Sequence, residues 1–191
     1  HHSISSSHPF VVTMKPLFFC LSFSLLQWLA AQSHSYTITD NSVIIYHGYH
    51  PFHNWSGVSH AVSGNIEASP KNPASFSCSV QVSLKSFDSG SINRDSNMLT
   101  FTEYYLYPRV VFGSEEIAIS DSVATVRGQL FFHGTTRDLE VTVEVDTSKG
   151  FRATGRFSIS LSDYAVKRPS LLLLPISDKI DIEFDIRGVL N

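Results

Sequence analysis

The chain has 191 residues, a formal charge of −3, 42% hydrophobic and 16% charged residues. That length supports one domain with a real core, and the charge leaves no basic surface for nucleic acid and no polybasic stretch for an anionic membrane. With 10 Gly, 8 Pro and 14 Phe, it is neither a collagen-like nor a disordered composition.

The first 33 residues read as something other than the fold. Residues 1–13 look like a tag remnant or a mis-called start, so His1 and His2 are not counted as ligands. Residues 14–33 carry Lys15, then an apolar run from Leu17 to Leu26, then the small residues Ala30, Ala31 and Ser33. That order is the signature of a secretory signal, cut after Ala31 or Ser33. The run is short and broken by Ser22, Ser24 and Gln27, which argues against a membrane anchor. The expected mature domain is residues 34–191, periplasmic or secreted, with no integral span. It has a formal charge of −4, because residues 1–33 hold one basic residue and no acidic one. Cys78 is then the only cysteine, so no internal disulfide is possible.

Along that domain, period-2 alternation dominates. Ala74, Phe76, Cys78, Val80, Val82 and Leu84 alternate with polar residues, as do Leu139, Val141, Val143 and Val145. So do Phe151, Ala153, Gly155, Phe157, Ile159 and Leu161, and finally Ile180, Ile182, Phe184 and Ile186. Successive side chains of a strand point to opposite faces, so each segment has one wet and one dry face. Weaker extended segments fall at 42–49, 58–67, 109–120 and 123–133. The expected class is all-β, with about eight antiparallel strands. Strands that are one-sided from end to end need either a second sheet or closure on themselves.

Two segments break the alternation. Residues 93–107 have mixed helical spacings, and Thr100 with Glu103 resembles a capping box that would start a short helix at Phe101, stopped by Pro108. Leu171, Leu172, Leu173 and Leu174 lie between Pro169 and Pro175 and cannot form an ordinary interior strand. They are expected to fold back over one barrel end, either as a plug or as the rim of an entrance at Leu172 and Leu173.

The order of several motifs resembles the YceI-like family. Asn93-Arg94-Asp95-Ser96-Asn97-Met98-Leu99 and Tyr107-Pro108-Arg109-Val110-Val111-Phe112 are similar to its Arg-Asp and Tyr-Pro signatures. Val126 to Thr136 resembles its strand and turn, and Phe157 to Tyr164 followed by Ser177 to Ile182 resembles its closing hairpin. The resemblance spans roughly residues 35–190. It implies an eight-stranded antiparallel lipocalin-like β-barrel, with one short helix in a crossing loop, that binds a long-chain apolar or isoprenoid lipid. Where the family often has His two residues after the Arg-Asp pair, this chain has Asn97, which cannot titrate near neutral pH.

Alternation alone slightly favours a solid interior, and the resemblance favours a hollow one. The dry face mixes large residues with small ones such as Ala124, Gly128, Ala153 and Gly155. The candidate ligand-binding residues are Phe76, Val80, Val82, Leu130, Phe132, Val141, Val143, Phe157, Ile159, Ile182 and Phe184. Arg94 and Asp95 suit a turn-locking role better than direct head-group contact. His47, His50, His53 and His60 suggest an alternative, a metal-dependent enzyme or accessory protein, but their spacing matches no zinc pattern. A ligand-free envelope stress or structural protein is a third reading. No strained nucleophile elbow is present, and Cys78 on a dry face is expected to be inert, so no enzyme activity, catalytic residue or cofactor is assigned.

Overall fold

The structure is a computed structural model and describes residues 34–68 and 76–191. The tag-like segment, the signal-like segment with both cut positions, Cys20 and Ala74 lie outside the described residues.

Among the described residues, twelve strands and one α-helix follow in chain order. The first four strands are β1 (His34–Ile38), β2 (Val43–His50), β3 (His53–Ser59) and β4 (Val62–Ala68). Next come β5 (Ser77–Ser83), α1 (Ile92–Phe101), β6 (Arg109–Ser120), β7 (Val123–Phe132), β8 (Thr135–Asp146) and β9 (Phe151–Ser160). The last are β10 (Ser170–Leu171), β11 (Leu174–Pro175) and β12 (Lys179–Leu190). The ladder runs β1-β4-β5-β6-β7-β8-β9-β12 and closes by pairing β12 with β1, giving an eight-stranded antiparallel barrel. The hairpin β2-β3 extends this wall from β12. The all-β barrel with one helix in a crossing segment is therefore the observed fold. No helix among the described residues is long and apolar enough to cross a membrane.

Closure has local causes. β1 and β2 are separated at residues 39–42, where the ladder against β12 is interrupted. Ser42 is fully buried there. Its hydroxyl accepts the Arg187 backbone N–H at 2.8 Å, and Thr39 N–H donates to the Arg187 carbonyl at 2.8 Å. One side chain thus stands in for missing ladder bonds, which a buried backbone group requires. β3 and β4 are likewise separated at His60 and Ala61. Ser59, also fully buried, accepts the Ala61 N–H and lies 2.7 Å from the Ser86 hydroxyl. Beyond this break β3 has no strand partner on that side among the described residues. Val58 instead exchanges two 2.9 Å backbone bonds with Asp88 of the crossing segment.

β6 contains a bulge between Gly113 and Glu116. The buried Ser114 hydroxyl donates to the Arg127 carbonyl there. Gly128 faces the bulge, and a Cβ on it would run into the Gly113 carbonyl oxygen, so only glycine allows the two backbones to approach. At the other end of β7, His133 and Gly134 both have positive φ, the two-residue turn whose twist matches a hairpin.

The helix is not where the Thr100–Glu103 pattern predicts. α1 begins after Ser91, whose hydroxyl accepts the Arg94 N–H, with Asp95 in the positive first turn. It is already over by Thr102. The Thr100 and Thr102 hydroxyls cap no helix start; they donate back to the carbonyls of Ser96 and Met98. Glu103, at φ 48°, takes the left-handed conformation that ends the helix. Its carboxylate lies 2.7 Å from His133 Nε2, tying the crossing segment to the β7-β8 turn.

Candidate ligand-binding cavity

The dry faces of the strands enclose a cavity of about 990 Å3. All eleven interior residues named from the sequence line it. Phe76, Val80 and Val82 lie in or beside β5, Leu130 and Phe132 on β7, and Val141 and Val143 on β8. Phe157 and Ile159 come from β9, and Ile182 and Phe184 from β12. Small residues keep this wall apart. Ala124 and Ala153 are buried, and a Cβ on Gly155 would meet the Phe184 ring at 2.6 Å. The interior is therefore hollow rather than filled.

Two clusters of buried side chains flank the hollow. One joins Ile38, Val62, Ile66, Ala124, Val141 and Ile186. The other joins Leu84, Leu130, Phe132, Leu161, Tyr164 and Ile180, and packs under Met98 and Leu99 of α1. The lining is thus aliphatic and aromatic along the barrel and turns polar at its ends, with His34, Asp121 and Thr147 at one and a larger polar group at the α1 end. Arg94, Met98 and Phe101 recur at helical spacing on the cavity side of α1, with Asn97 beside them. Tyr46, His50, His53 and Trp55 of the β2-β3 hairpin complete this end together with Lys167.

The sequence did not group these polar residues as one site: His50 and His53 entered as metal candidates, Arg94 as a turn lock and Asn97 as a departure from the family pattern, while Tyr46, Trp55 and Lys167 gave no signal. The pointer that came nearest was the Arg94–Asp95 motif. Its two members divide the work. The Asp95 carboxylate accepts the Ser89 N–H at 3.2 Å and 3.3 Å, and Arg94 donates to the Ser89 carbonyl at 3.1 Å. Both lock the loop before α1, but Arg94 also lies over the Trp55 ring at 5.7 Å and lines the cavity, whereas Asp95 does not. The Tyr46 hydroxyl is buried beside them without a hydrogen-bond partner among the described residues, and burial raises its pKa.

The histidines do not converge. His47 faces outward, 2.8 Å from the Ser56 hydroxyl and 3.5 Å from Glu183, while His50 and His53 face the cavity and His60 is exposed. Among the described residues no group of three or more His, Cys, Asp or Glu side chains is placed to hold a metal ion. Cys78 lines the cavity, and burial pushes its thiol up to about 11. At neutral pH it is therefore a thiol, a poor nucleophile.

The four leucines form no part of the barrel ladder and make a small hairpin of their own. β10 and β11 are a two-residue-turn hairpin, with Leu171 paired to Leu174. Leu171 lines the cavity; Leu172 and Leu173 do not. These two sit at the hairpin tip, 74% and 96% exposed, with φ of 50° and 68°.

A sequence model of the YceI-like domain matches residues 34–188. The chain belongs to the YceI-like family. Solved structures agree with this YceI-like fold. Burkholderia cenocepacia BcnA superposes with a TM-score of 0.71 at 19% identity, covering 78% of this chain and 98% of that one. A polyisoprenoid binding domain from Saccharophagus degradans, implicated in plant cell wall breakdown, gives 0.63 at 13% identity, covering 82% and 98%. The Campylobacter jejuni YceI protein gives 0.56 at 20% identity, covering 66% and 80%. No curated protein resembles the sequence closely enough to count as a match.

Proposed function

We propose that this YceI-like protein is a carrier, not an enzyme, and that it binds a long-chain amphiphile such as an isoprenoid lipid. The tail lies among the eleven interior residues and the polar end sits near Arg94, Asn97 and Tyr46. The observation that carries this reading is the cavity of about 990 Å3, apolar along the barrel and polar at the α1 end. That volume is at the upper end of the range for small-molecule sites, roughly 300–1,000 Å3. Each methylene buried contributes about 0.8 kcal/mol, so a long tail binds tightly without specific polar contacts. The likeness to the Saccharophagus degradans polyisoprenoid binding domain supports the same class of ligand. The signal-like residues 14–33 support a carrier that works outside the cytoplasm, in the periplasm or secreted. Extraction of protein purified from its own host, followed by mass spectrometry of the extract, tests the reading. A long-chain amphiphile in stoichiometric amount is expected. A ligand-free protein that also takes up no prenyl lipid after purification rejects it.

A further inference from the structure

The β10-β11 hairpin carries a feature that neither folding nor tail burial accounts for. Its turn residues, Leu172 and Leu173, both hold the left-handed backbone conformation that favours glycine or asparagine and disfavours a branched apolar side chain. Both also face solvent, so the leucines gain no packing in return. Side chains kept at a strained and exposed position act on something outside the chain. The adjacent turn between β2 and β3 adds Phe52, 61% exposed. The two hairpins are joined, since His50 Nε2 lies 3.1 Å from the Leu174 carbonyl and the Ser177 N–H donates to the Tyr49 carbonyl at 2.8 Å. Lys167 and Arg168 stand at the base of the β10-β11 hairpin. Lys167 makes no ion pair among the described residues, and Arg168 lies 3.7 Å from Asp178 and donates to the Ile176 carbonyl.

We propose that the tip formed by Leu172, Leu173 and Phe52 inserts into the surface of a lipid bilayer and sets the α1 end of the cavity against it. This rests on the carrier reading and names the surface from which the cargo comes. Two observations favour a bilayer over a protein partner. The same hairpin that presents Leu172 and Leu173 outward lines the cavity through Ser170 and Leu171, as does Lys167, so the apolar tip is continuous with the apolar interior. A tail that crosses this rim directly never meets water, whereas any other route exposes its methylenes one after another. Second, Lys167 and Arg168 at the hairpin base suit the phosphates of lipid head groups, while the leucines suit the acyl boundary beneath them.

The test uses the full chain and phosphatidylcholine vesicles containing phosphatidylglycerol. The variant Leu172→Asn with Leu173→Gly supplies the residues the turn geometry prefers, so its melting temperature is expected to hold or rise. Its partitioning onto vesicles is expected to fall on the order of tenfold or more, because two leucine side chains no longer insert. A local readout excludes binding through any other segment. In Leu173→Trp, vesicles should shift the added emission to the blue and brominated acyl chains should quench it. Equal vesicle binding by wild type and the Asn-Gly variant, or an added tryptophan that vesicles do not perturb, overturns the proposal. Self-association of the wild type that the Asn-Gly variant abolishes also overturns it, since a second copy then covers the tip. Native mass spectrometry of the same samples keeps the two claims apart. Retained lipid without vesicle binding rejects the docking surface alone, and vesicle binding by a protein that never retains lipid rejects the carrier reading alone.

Discussion

The two halves of the barrel are built differently. From β7 through β9 to β12 the register is unbroken, with ten successive pairs between β7 and β8 and ten between β9 and β12, joined by four between β8 and β9. From β1 to β4 it is interrupted twice, and each interruption is bridged by a fully buried serine. The regular half supplies an apolar wall. The interrupted half lets the β2-β3 hairpin leave the closed ring, admits the crossing segment beside Val58, and brings Tyr46, Trp55 and Arg94 together. An uninterrupted alternation makes a container; breaking it in two places makes the container's mouth.

The largest loss is expected at the edge of the regular half, where β7 meets the β6 bulge. Gly128→Val drives a side chain into the Gly113 carbonyl, a backbone atom that cannot swing aside as the Phe112 ring tip could. It should cost about 3 kcal/mol or more, read by denaturant unfolding. A variant as stable as the parent would mean that the bulge does not pin β6 to β7.

Ser42→Ala and Ser59→Ala probe the other half. Each removes the buried hydroxyl that accepts the backbone N–H of Arg187 or of Ala61, and should cost on the order of 1 kcal/mol. These two variants should also weaken lipid retention, because the breaks position the mouth, whereas Gly128→Val should act on stability alone at temperatures where it stays folded. Asp95→Ala comes next. It removes the acceptor of the Ser89 N–H but no cavity wall, so a loss on the order of 1–2 kcal/mol with unchanged lipid retention is expected. Unchanged melting with lost lipid would make Asp95 a head-group contact.

These differences also explain what the sequence revealed. The regular half was legible because one face stays dry over most of each strand: Val141, Val143, Phe157, Ile159, Ile182 and Phe184 were named from that pattern, as were Phe76, Val80 and Val82 of the β5 segment outside it, while Leu130 and Phe132 lie in a segment whose alternation is weaker. The facing of β4 and of the end of β6 was not. Across residues 60–61 the cavity-facing positions change from His53 and Trp55 to Ile66 and Ala68, and across the bulge they change from Val110 and Phe112 to Ile117 and Ile119. A one-residue shift sends every later side chain to the opposite face, so simple alternation cancels across such a break. The helix was expected but its start was misplaced, because Ser91 has no acidic partner three residues on and so shows no capping-box pattern, whereas Thr100 and Glu103 show one by coincidence. The polar end of the cavity comes from three separate segments, and nothing local signals their convergence.

The smallest expected effect lies on the outer face of the regular half. Asp181 is held below the usual carboxylate range by hydrogen bonds from Ser158, Tyr49 and Lys179, Glu183 by Arg156, and Asp185 by Arg152 and Arg187. Carboxylates with lowered folded pKa values contribute stability above their unfolded values near 4 and lose it as the pH falls through the folded ones. These groups are largely solvated, so the effect is modest. Melting temperature should be level from neutral pH to about 5 and decline below about 4. A decline that begins near neutral pH would assign the acid sensitivity to histidines instead.

The central claim is that the barrel interior holds an extended apolar tail, and chain length tests it most directly. Delipidated protein is titrated with a series of straight-chain alcohols of increasing length, in parallel with Val80→Trp, which fills part of the cavity. The affinity should rise about fourfold per added methylene, from about 0.8 kcal/mol each, until the cavity is full and then level off. Val80→Trp should reach that plateau at a shorter chain. An affinity independent of chain length, identical in both proteins, would contradict the account.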